Sequence, residues 1–138
     1  MSSAKALVDG LVSELPAVID DGRWSVLDFL PRQREGWHPP AITVDRVVKP
    51  LDEGTMGTGV VRCRLVAVAS DQDTANLPDQ LYDWTDDGAS GRIGRLKAIT
   101  NSAWSGTPRV LGVEINDDLK IGPQTYRAAI VSLEFMTT

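Results

Sequence analysis

The strongest constraint on the fold is an alternation of apolar side chains in the segment QTYRAAIVSLEFMTT. Counted by twos, Ala129, Val131, Leu133 and Phe135 fall on one face of a strand, because successive side chains of extended backbone point to opposite sides. The other face carries Tyr126, Ala128, Ile130, Ser132, Glu134 and Met136, which is only half apolar. The first face is the usual core-facing stripe, and the second raises the question of what covers it. The same alternation recurs in GVVRCRLVAVAS, with Val61, Cys63, Leu65 and Ala67 on one side and Val60, Arg62, Arg64, Val66 and Val68 on the other.

The other elements are read around these two strands. SSAKALVDGLVSEL spaces Leu7, Val8, Leu11, Val12 and Leu15 by three and four, which predicts an amphipathic helix capped by Ser2 or Ser3 and ended near Pro16. WSVLDFLP and AITVDRVV have strand composition, separated by the proline-rich polar segment RQREGWHPP. In the second of them Ile42, Val44 and Arg46 are expected on one face and Thr43, Asp45 and Val47 on the other. KPLDEGTMGTG then makes the loop of a long hairpin. SDQDTANLPDQLYDWTDD predicts a helix with Leu77, Leu81 and Trp84 on one face, Pro78 in its first turn and Ser70, Asp71 or Asp73 as caps. DDGASG breaks it, and GRIGRLKAIT opens a short helix with Ile93, Leu96 and Ile99 inward. RVLGVEI and YRAAIVSLEF are expected to be strands joined by the turn-rich NDDLKIGPQ. That order predicts a single α+β domain over 1–138, with one mixed or antiparallel sheet and helices packed on a face.

Composition bounds the function. With 42% hydrophobic and 24% charged residues in 138, the chain has the make-up and size of one globular domain. A net charge of -5 gives no basic footprint of the kind that duplex-binding proteins present. No apolar run reaches the roughly 18 residues that span a bilayer, and MSSAKALVDG lacks the features of a secretory signal, so synthesis in a cytoplasm is expected.

The residues of chemistry are scarce. The one histidine, His38, sits between Trp37 and two prolines and reads as a loop contact residue, with a catalytic or metal-ligating role as the alternative. No G-x-S-x-G turn presents a serine nucleophile. A structural zinc site needs about four Cys or His ligands, and the chain has Cys63 and His38. Asp71 and Asp73 resemble the start of a calcium loop but lack its glycine and distal glutamate. Gly88, Gly91 and Gly94, with Arg92, Arg95 and Lys97, match neither phosphate-binding glycine pattern, so a turn and helix start is expected there, an anion or interface contact being the alternative. Cys63 reads as a small buried apolar residue. Trp84 reads as core, and Trp37 as an anchor for another molecule. No enzyme, cofactor or metal is expected.

The whole pattern resembles the tail terminator proteins of siphophages, the bacteriophages with long non-contractile tails. The resemblance runs over nearly the full chain: the N-terminal amphipathic helix, WSVLDFLP through the proline-rich loop into AITVDRVV, VVRCRLVAVAS entering SDQDTANLPDQLYDW, the break DDGASGRIGRLKAI, and the closing strand TYRAAIVSLEF. It is one of order, length and texture, and contains no chemical signature.

The resemblance implies a virion protein at the head-tail junction, present in the host cytoplasm during assembly. Its members form hexameric rings that stop tail-tube polymerisation and give the head connector, or stopper, a docking surface. The implied partners are further copies of the chain, the tail-tube protein and the connector, with genome DNA passing the lumen unbound and no membrane involved. A tail-tube or connector-completion protein is the alternative of the same kind. A small anion-binding module, with a pocket near Trp37, His38 and the Arg92 to Arg95 loop, is the alternative of a different kind. Interface residues are expected at Trp37, His38, Met56, Arg92, Arg95, Tyr126 and Ile130, and pairing of Arg62 and Arg64 with acidic residues of a neighbour is an alternative to acidic charge lining the lumen.

Overall fold

The computed structural model describes residues 3–27, 40–49, 59–70, 77–121 and 124–137. The elements in chain order are α1 (Ser3–Ile19), β1 (Ser25–Leu27), β2 (Ala41–Val48), β3 (Gly59–Val68), α2 (Leu77–Tyr82), a 3-10 turn (Asp83–Thr85), α3 (Arg92–Leu96), β4 (Ser105–Ile121) and β5 (Gln124–Thr137). The strands form one mixed sheet in the order β1-β2-β3-β5-β4, with β1 parallel to β2 and every other pair antiparallel. The α+β architecture expected from the sequence is the one observed.

The apolar stripes meet on one face of this sheet. Val61, Cys63, Leu65 and Ala67 of β3 stand opposite Phe135, Leu133, Val131 and Ala129 of β5, and all eight are buried. Leu7, Leu11 and Leu15 of α1 join them in one core with Ile42, Val44, Trp84, Ile93, Leu96 and Trp104. Each fully buried leucine contributes about 1.5–3 kcal/mol relative to an exposed one. Gly10 lets a loop approach α1 closely: a Cβ there would stand 2.9 Å from Oδ1 of Asn101.

Helix α1 does not end at Pro16. It continues to Ile19, and the Asp20 N–H donates to the Pro16 carbonyl at 3.0 Å before Asp20 turns left-handed, with φ of 50°. An interior proline costs about 3 kcal/mol. The extra turn offsets that cost by burying Val18 and Ile19 and by receiving donors from Arg95.

Two further expectations are corrected. In β2 the alternation holds through Asp45 and then breaks. Arg46 adopts φ of 49° at a bulge, so Val48 pairs with Arg62 on the second face while Val47 lies beside Ala4 and Val8 of α1. The segment NDDLKI belongs to β4 and is not a turn. The Asp118 N–H donates to Oδ1 of Asn116 at 2.8 Å, which absorbs the local turn signal as a register shift, and pairing resumes at Leu119 with Tyr126.

The glycines of GASGRIGR serve close packing, as a turn and helix start. Gly91 precedes α3, and a Cβ on Gly94 would collide with the Gly88 carbonyl oxygen. The proposed loop tip in 50–58, Asp71 and Asp73, and the polar segment around Trp37 and His38 lie outside the described residues.

Candidate interaction surface

The second face of the sheet is where sequence and structure leave a question of function, and it divides across the strands. Toward the start of β2, Ala41, Val66, Val68, Tyr126 and Ala128 form a second buried cluster against which Leu27 and Leu119 pack. Thr43 and Ile130 are buried beside it. Tyr126 and Ile130, expected at an interface, are 5% and 6% exposed, so both are interior residues of the subunit.

The other half of this face is open. Its first row runs Asp45, Arg64, Ser132 and Gly112, and the next runs Val48, Arg62, Glu134 and Arg109. Val60 pairs with Met136, and Met136 with Ser105, in a third row at the edge. Val48 is 52% exposed and Met136 42%, two large apolar side chains set among charges. Arg64 donates through Nη2 to Oδ2 of Asp45 at 2.6 Å, and Arg62 through Nε to Oε2 of Glu134 at 3.0 Å. Arg62 and Arg64 therefore have partners within the chain, Glu134 and Asp45, where the alternative placed those partners on a neighbour. The cause is register, because β3 sets each arginine directly beside an acidic residue of β2 or β5.

Arg92 and Arg95 sit at the opposite end of the molecule and do not line this face. Arg92 is 8% exposed, its guanidinium carbon 5.2 Å from the ring centroids of both Trp24 and Trp84, with Nη2 4.0 Å from Asp21. Burial lowers its pKa, against the carboxylates of Asp83 and Asp21, which raise it. Arg95 donates through Nε to the Val18 carbonyl at 2.8 Å and through Nη1 to that of Ser90 at 2.7 Å. Its third donor, Nη2, reaches the Ile19 carbonyl at 3.4 Å. It clasps the C-terminal end of α1 to the loop before α3. Arg92 is thus interior, and Arg95, half-buried, bonds to backbone carbonyls of its own subunit, whereas both were expected at an interface.

The crevice they border, of about 310 Å³, is also lined by Asp20, Asp21, Asp83 and Asp86. Four carboxylates outnumber the two guanidiniums, which opposes binding of an anion there. Asp21 is held down to about 2 by hydrogen bonds from the Arg23 side chain and then its backbone N–H. Cys63 is buried, and burial pushes its thiol up to about 12, which suppresses the nucleophilic thiolate.

Among the described residues no group of three or more His, Cys, Asp and Glu could hold a metal ion, and no helix is long and apolar enough to cross a membrane. Trp37, His38 and Met56 lie outside the described residues. The residues that sequence reasoning missed are Asp45, Glu134 and Arg109, whose shared face appears only once β2, β3, β5 and β4 are aligned. Compared with known proteins, the sequence matches no family model and no curated protein.

Proposed function

We propose that the chain is a structural subunit of a phage tail, of the tail terminator kind. It closes into a ring, hexameric by that resemblance, at the head-proximal end of the tail tube, where it ends tube growth and offers the head connector a docking surface. The observation that carries this reading is the open half of the second sheet face, where Val48 and Met136 stand exposed among paired charges. Subunits that close a ring meet through two different patches, and a preorganised sheet face suits one of them. The anion-binding alternative is disfavoured by the carboxylates around Arg92 and Arg95.

The test is mass by light scattering during size exclusion across protein concentration, with negative-stain imaging of the same fractions and addition of the protein to isolated tail tubes. Rings, alone or on tube ends, support the terminator reading. Long tubes formed by the chain itself move it to the tail-tube alternative. A chain that stays monomeric both alone and with tubes sinks the assembly reading.

A further inference from the structure

The open half of the second sheet face carries Arg62, Arg64 and Arg109 against Asp45 and Glu134, an excess of positive charge in a chain of net charge -5. Arg109 is exposed and makes no ion pair among the described residues. Arg46 is also exposed and without an ion pair there, at the β2 bulge beside this face. Lys49 reaches Gly59 at the same end of the sheet, its Cε 3.7 Å from where a Cβ would stand. Among the described residues, this end carries more basic than acidic side chains in a protein that is acidic as a whole.

Among the described residues, the opposite end of the strands carries more acidic than basic side chains, Arg23, Lys120 and Arg127 included. There α1 finishes, and the Ser70 N–H after β3 is held at 2.8 Å by Oε1 of Gln80 in α2. Asp20 just after α1, Asp79 in α2, Asp83 in the 3-10 turn, and Asp86 and Asp87 after that turn are all exposed. Asp20, Asp79 and Asp87 make no ion pair among the described residues. Guanidinium groups nearby are occupied, with Arg92 buried between two indoles and Arg95 bonded to backbone carbonyls. The two ends lie about 30 Å apart along β3 at the rise of an extended strand.

We propose that the open half of the second sheet face docks the acidic end of a second copy of this chain, so that copies associate head to tail. The argument is charge complementarity around an apolar centre: aspartates of one copy meet Arg46 and Arg109, and Val48 and Met136 lose their exposure. The inference rests on the assembly reading above and names the partner of the same face. A head-to-tail contact of this kind is heterologous, which lets association continue or close.

Two variants and their combination test it. One reverses the face with Arg46→Glu and Arg109→Glu, and the other reverses the end with Asp79→Lys and Asp87→Lys. None of these side chains is buried, and thermal melts by circular dichroism check that each variant folds. Light scattering is expected to show each reversal raising the apparent Kd for self-association at least tenfold, with recovery in the chain carrying all four changes. Wild-type association should also weaken as salt is raised from about 50 mM to 500 mM, as screening predicts.

Self-association unchanged by either reversal overturns this contact and leaves ring assembly standing on another surface. If the face reversal spares self-association but abolishes capture on isolated tail tubes, the face belongs to a different protein and the inference fails. A wild-type chain that never self-associates, even at tube ends, overturns the inference together with the assembly reading.

Discussion

Arg95 shows how one side chain can tie distant parts of the chain together. Its three donors fasten Val18, Ile19 and Ser90 through their carbonyls. Arg95→Ala is expected to lower stability by about 1–3 kcal/mol in urea denaturation, since it leaves the part-buried carbonyls of Val18 and Ile19 without their charged donor. Arg95→Lys should not restore the loss, because an ammonium cannot reproduce the fork. Asp21 makes a pH-dependent contribution of known sign. Its carboxyl lies at about 2 in the folded protein against an ordinary value of 3.8, so its stabilisation is present above about pH 4 and lost as pH falls toward 2. Arg23 is largely exposed, which keeps the effect below about 1 kcal/mol. The stability difference between wild type and Asp21→Asn, measured by denaturant titration from pH 6 downward, should shrink over that interval. Cys63 should resist a thiol reagent at pH 8 in the native state and react once denaturant is added, because burial raises its pKa to about 12. Its burial was legible from VVRCRLV. The internal duties of Arg92 and Arg95 were not, because Trp24, Val18 and Ile19 are far from them in sequence and only packing brings them near.

At the scale of elements, the period-two pattern was the reliable guide wherever a strand is buried on one face. β3 and β5 pair without a register break, since a slip of one residue would turn every core side chain outward, although Val66, Val68, Ala128 and Ile130 are buried on the second face as well. It failed at the β2 bulge, where a positive φ at Arg46 inserts an extra residue that no composition signals. It also underestimated β4, because Asn, Asp and Lys in an exposed strand look like a turn until Leu119 finds its place beside Tyr126. Pro16 misled for a related reason: local preference marked the end of α1, and burial of Val18 and Ile19 carried the helix past it. Pro16→Ala is therefore expected to stabilise the protein by about 1–2 kcal/mol, restoring an N–H for the Val12 carbonyl while giving back some freedom to the unfolded chain. A urea midpoint that falls instead would mean the proline ring itself packs to advantage against Trp24, with which it lines a shallow pocket.

The whole molecule is organised around the pairing of β3 with β5, flanked by β2 on one side and β4 on the other. Amides in this central pair should exchange most slowly with deuterium, and those of β1, three residues long at one edge, should exchange early. Protection concentrated in β4 would contradict that ranking. The one-sheet plan could be anticipated from the order of helical and alternating segments, whereas the division of the second face could not. That division depends on which residues of four strands stand side by side, and a single sequence does not align its own strands. The central placement of β5 also bears on how the chain is made. Residues 59–68 emerge from the ribosome long before residues 128–137, their partners in the ladder. Until the later strand is released, β3 has one open edge, β4 has no neighbour in the sheet, and the leucines of α1 lack half of the surface they cover. Such an intermediate exposes apolar surface and strand edges that favour aggregation, so a holding chaperone would act on the nascent chain during that interval. Its dependence on such help should ease abruptly once β5 clears the exit tunnel.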